Sequence, residues 1–191
     1  MKTYLLLTCI TISTLMNAQI SGKELPYKQL PEYSKEFTAG TVAARQVDGL
    51  GFRFYWATEG LTVKDLVYKP TETSRSTGET VEHIYNLSVF LLNTTLKDHP
   101  VKTETSDFDF NYHRKQTLLN LKQAAEILRT SNDISEFIIK TKTSEYPFWN
   151  MINGPIADAT WHCGQIASFR RITGNPINKN INHFIGKIKE E

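Results

Sequence analysis

Cysteine is almost missing from this chain: Cys9 and Cys163 are the only two among 191 residues, and the first falls in an N-terminal leader. The mature chain therefore has no internal disulfide. Cys163, between Trp161-His162 and Gly164, reads as a small buried apolar residue, with a nucleophile as the alternative. An excess of one charge is missing too. The 22 basic and 20 acidic residues leave a net charge of +2, and Lys and Arg are scattered, so no basic stripe offers itself to nucleic acid. No internal repeat and no convincing strand alternation is present.

Only one long apolar run occurs, and it opens the chain. Met1-Lys2 supplies a basic start, an apolar stretch follows through Leu15, and Ala18 precedes Gln19. That is the anatomy of a secretory signal peptide over 1–18, cleaved after Ala18. The run is too short and too rich in Thr for a membrane span, although a retained N-terminal anchor is the alternative. The expected mature protein is exported, periplasmic or secreted, with no stable membrane span. Residues 19–36, with Pro26 and Pro31, read as an extended lead-in.

What the remaining chain has is helical periodicity. Ala43, Val47, Leu50, Phe54, Ala57 and Leu61 recur at steps of four and three, one stripe on a helix of about six turns. Gly49 and Gly51 permit close approach of a neighbouring helix, and Trp56 extends the stripe or lines a pocket. After an irregular connector, Ser76 or Thr77 caps a second helix, with Glu79 placed for a capping interaction. That helix runs to about Lys97 and is apolar over a wide arc, as a buried bundle helix is. Asn86 and Asn93 head glycosylation-like triplets, but both fall inside this helix. A third helix is expected from about His113, with Leu118, Leu121, Ala125 and Leu128 inward. His99 and His113 read as surface residues at loop edges. Residues 134–143 are ambiguous between a short helix and an extended piece. In the last helix Pro155 fits the first turn, or a kink in a helix that begins earlier. Gly174 and Pro176 stop it. A short tail, 177–191, has Ile181, Phe184, Ile185 and Ile188 to dock a last turn or two. Four amphipathic helices over 37–176 predict an all-α, four-helix bundle.

The chemistry gathers in Asp158-Ala-Thr-Trp-His162-Cys-Gly-Gln165. On a helix, Asp158 and His162 are four apart and share a face, a two-point grip for a divalent metal. The third ligand expected is His83, from the second helix. Two imidazoles and a carboxylate leave positions open for water or substrate, the pattern of a catalytic rather than a closed site. The same spacing also suits a carboxylate that merely orients an imidazole. Gln165, one turn beyond His162, fixes the ligand or binds substrate. Arg170 and Arg171 complement the helix dipole, with anion binding as the alternative. Trp56, Trp161, Gln165 and Arg170 are candidates for the pocket or the surroundings of the ligands. No general base stands out; Glu79, one turn before His83, and Gln165 are the candidates.

These residues resemble a known family. Pro155-Ile-Ala-Asp158-Ala-Thr-Trp-His162-Cys-Gly-Gln165 with Phe169-Arg170 and Gly174-Asn-Pro, and Gly78-Glu-Thr-Val-Glu-His83 upstream, resemble the DinB/YfiT-like superfamily of metal-dependent enzymes. The resemblance covers roughly 37–176. It implies a four-helix bundle with one divalent ion, hydrolase-like or thiol S-transferase activity on a small molecule, and frequent homodimers. Asp158 stands where the family usually has the first His of a His-x3-His pair. A carboxylate there lowers the Lewis acidity of the ion and favours harder metals, leaving Zn, Ni, Fe and Mn all open. The substitution also leaves open a non-catalytic metal- or ligand-binding module.

Overall fold

The computed structural model describes residues 24–97, 100–101 and 107–189. The expected leader and His99 lie outside the described residues. The described chain is mostly helical. Helix α1 (Ala39–Thr58) starts at Thr38, whose hydroxyl accepts from the Thr41 amide while Thr41 Oγ1 accepts from the Thr38 amide. The predicted stripe is buried at Ala43, Val47, Leu50, Phe54 and Ala57, while its last member, Leu61, falls beyond the end of the helix and is half-buried. A single turn, α2 (Val63–Leu66), interrupts the connector that reads as irregular. Helix α3 (Thr77–Leu96) begins with the expected capping box: Glu79 N–H donates to Ser76 Oγ at 3.1 Å and Ser76 N–H donates to Glu79 Oε2 at 2.6 Å. Both predicted glycosylation triplets fall within it.

Helix α4 (Phe110–Thr130) begins three residues before the predicted start, because the Asp109 carboxylate accepts from the amides of Asn111 and Tyr112. His113 is consequently inside the helix and buried, not at a loop edge as expected. Its ring sits among Tyr85, Phe108 and Tyr112 with Nδ1 2.7 Å from the Asp109 carbonyl oxygen. The ambiguous stretch resolves into a 3-10 turn (Ile134–Glu136) and β1 (Ile139–Lys140), paired antiparallel with β2 (Glu145–Tyr146). The last helix takes its kinked form. It runs from α5 (Trp149–Met151) through a π-helical turn (Ile152–Ile156) that holds Pro155, and on into α6 (Ala157–Thr173). Proline has no N–H to give the ladder, and the wider turn absorbs the mismatch. Gly174 closes α6 at φ 87°, and the Asn175 amide reaches back to the Arg170 carbonyl at 2.8 Å.

Helices α1 and α3 each pack on both α4 and α6, so the four long helices ring one core. Phe52, Phe54, Leu91, Leu92, Leu118, Leu121, Leu128, Met151 and Ile166 fill it. At Gly40 the backbones of α1 and α4 come close: a Cβ there would stand 2.3 Å from the Leu128 carbonyl oxygen. Gly51, expected to admit a helix, instead admits the Tyr27 ring from the lead-in, and Gly49 meets only the Arg53 side chain. The tail is not helical over its described residues, 177–189. It forms the hairpin β3 (Ile181–Asn182) and β4 (Lys187–Ile188), and the Gly186 carbonyl accepts from the Leu30 amide at 2.9 Å. Lead-in and tail therefore lock together on the outside of the ring. Among the described residues no helix is long and apolar enough to cross a membrane.

Candidate metal centre

The α3 cap sets the phase of that helix and so puts His83 at the edge of its buried arc, facing α6. On α6 the buried side is Ala159, Cys163, Ile166 and Arg170. Asp158, His162 and Gln165 are offset from it toward α3. The three predicted ligands meet there. His83 Nε2 lies 2.9 Å from Asp158 Oδ2, and His162 Nε2 lies 3.4 Å from Asp158 Oδ1. The two imidazole rings are edge to face with centroids 4.8 Å apart. One donor atom from each of the three lies within 4.8 Å of the others.

Bonds of about 2.1 Å in tetrahedral geometry put neighbouring donors about 3.4 Å apart; the 2.9 and 3.4 Å separations are near that value, and the widest, up to 4.8 Å, would have to close around an ion. The donor set of two imidazole nitrogens and one carboxylate oxygen is one that Zn and other first-row divalent ions accept. Gln165 supplies support: its Oε1 is 2.6 Å from His162 Nδ1. An amide oxygen only accepts, so Nδ1 is the nitrogen that donates to it, and Nε2 is the nitrogen turned to Asp158. Side-chain exposure is 14% for His162, 26% for His83 and 41% for Asp158, so the cluster opens to solvent on its carboxylate side.

A cleft of about 370 Å³ adjoins the cluster, lined by Pro70, Ser74, Arg75, Thr80, His162, Gln165 and Phe169. Arg75 has no counterpart among the residues singled out from the sequence; a lone Arg in a Ser/Thr-rich connector carries no periodicity to betray it. The other candidates lie elsewhere. Trp56 is buried and its indole N–H donates to the Lys28 carbonyl, tying down the lead-in. Trp161 points outward and is 73% exposed. Arg170 is buried and complements a helix other than its own: Nη1 donates to the Trp56, Ala57 and Glu59 carbonyls at the end of α1, at 3.1, 3.2 and 2.7 Å. Glu79 is held in the α3 cap and pairs with Lys69; the Ser76 amide and Lys69 keep its carboxyl below the usual range. Cys163 points into the core, where burial pushes its thiol up to about 12. It is held as a neutral thiol, as its reading as an apolar residue requires.

Fold and site together define a helical protein with a three-donor candidate cation site between α3 and α6. No protein-family model, curated protein or solved structure matches the chain, and the resemblance to the DinB/YfiT-like superfamily rests on the quoted residues.

Proposed function

We propose that this chain is an exported DinB-type four-helix-bundle protein whose His83, Asp158 and His162 hold one divalent metal ion, and that it hydrolyses a small molecule. The observation that carries this is the convergence of three donor atoms within 4.8 Å from residues 75 positions apart in the chain. When bound, a divalent ion supplies Lewis acidity, which polarises a carbonyl and acidifies water. The chain's own residues do the rest. Gln165 fixes the His162 tautomer, the open side at Asp158 admits a reactant, and the cleft beside Gln165 holds it against α6.

Glu79 is engaged in its cap, and this favours a second reading, a non-catalytic module in which the ion stabilises or switches the bundle. Thiol transfer is a third, and it would need a thiol from outside because Cys163 is buried. Elemental analysis of untagged mature protein tests the site: about one divalent ion per chain is expected, lost in His162→Ala. Ester, amide and thiol-conjugation panels then separate the three. Turnover of an ester or amide that His162→Ala abolishes supports the hydrolase. Tight metal with no turnover, and a melting temperature that falls on chelation, supports the module.

A further inference from the structure

We infer that Arg75 recognises an oxyanion of the substrate, so that the small molecule taken by this site carries an anionic group besides its reacting bond. The inference rests on the metal-centre reading and names the substrate class for it. Arg75 and Ser74 line the same cleft as His162 and Gln165. A molecule filling it would touch His162 and Gln165 as well as the guanidinium.

Three features make Arg75 the recognising group. It has no hydrogen bond, ion pair or ring contact within the described residues, whereas nearby cations are committed: Lys69 to Glu79 and Lys64 to the Thr173 carbonyl. No acidic side chain lines the cleft among the described residues, so nothing there competes for it. The remaining wall suits a short organic body, with Pro70 and the Phe169 ring, itself held edge to face by Tyr68 at 5.5 Å. A guanidinium matches carboxylate and phosphate oxyanions bidentately, and a planar fork gives orientation as well as attraction.

The test uses full-length mature protein loaded with zinc, after zinc titration of wild type and R75Q. Malonate, succinate, glutarate and adipate are each titrated calorimetrically against the monocarboxylate of equal carbon number at constant ionic strength. 3-Phosphonopropionate is titrated beside succinate. The best diacid is expected to bind about tenfold tighter than its monoacid. In R75Q that preference falls to about twofold or less, with monoacid affinity, zinc stoichiometry and melting temperature unchanged; R75K restores part of it. The larger of the carboxylate and phosphonate gains names the oxyanion. If zinc binds both proteins and R75Q keeps the full preference, or wild type has none, Arg75 recognition is overturned and the metal centre stands. Where zinc does not bind, nickel, iron and manganese are titrated in its place; if wild type takes up none of the four stoichiometrically, the metal centre fails and the inference falls with it.

Discussion

Gln165 and Arg170 sit on the same helix, five residues apart, and their roles diverge because of what each meets. The Gln165 amide stops at His162 Nδ1 and sets which nitrogen faces Asp158. Gln165→Leu should leave the fold intact but weaken metal affinity about 10- to 100-fold, as removal of such supporting partners does; competition with a chelating dye measures it. Asp158→Asn should weaken binding as well, since the amide offers no charge to offset the cation. The candidate trio was legible in part: a four-residue spacing joins Asp158 and His162, whereas a His on an apolar arc reads more often as a core residue, and only the distant pair drew His83 in. The task of Arg170 was not. Its three carbonyl partners lie 111 to 114 positions away, and a basic residue in a last turn reads equally well as serving its own helix. Trp56 misled in the same manner, because a stripe residue announces its burial and not the lead-in carbonyl its indole finds.

At the level of elements, the four long helices were legible from period and caps, since apolar steps of three and four and the Ser76–Glu79 box are local signals. The start of α4 was missed because Asp109 caps from within a polar loop. The tail hairpin was missed because two-residue strands are too short to show alternation. Removing the Arg170 guanidinium exposes how α1 ends. Arg170→Met should leave buried carbonyls without partners and cost about 2 to 4 kcal/mol in urea unfolding, with one metal ion per chain retained. Gly51→Ala tests the lead-in: its Cβ would fall 2.4 Å from the Tyr27 ring, so the ring must leave. Its hydroxyl bond to the buried Asp48 would go with it. Faster proteolysis within 24–36 than in wild type is the expected outcome.

For the molecule as a whole, acid stability should depend on one carboxylate far in sequence from α6. Burial pushes the Asp65 carboxyl up, but hydrogen bonds from Thr173, Thr62 and Asn175 outweigh it and hold it well below its ordinary 3.8. With the folded-state value depressed, its contribution is complete above about pH 4 and drains away as pH falls toward the folded-state value. Asp65→Asn should therefore lower the melting temperature at pH 7 and flatten the acid limb of a stability profile between pH 4 and 2. Chelator should lower the wild-type melting temperature and leave that of His162→Ala unmoved. The π-helical turn around Pro155 ties these behaviours to chain length. On its upstream side Phe148 and Met151 are anchored in the core, and on its downstream side stand Asp158 and His162. Excising a single residue there, Gly154 for instance, would rotate everything downstream by about 100°, the turn that each residue of a helix contributes. Either the anchors would swing out to water or the carboxylate and imidazole would swing away from His83. The bulge thus acts as a phase adjuster between the core anchors and the candidate cation-binding side chains of that helix.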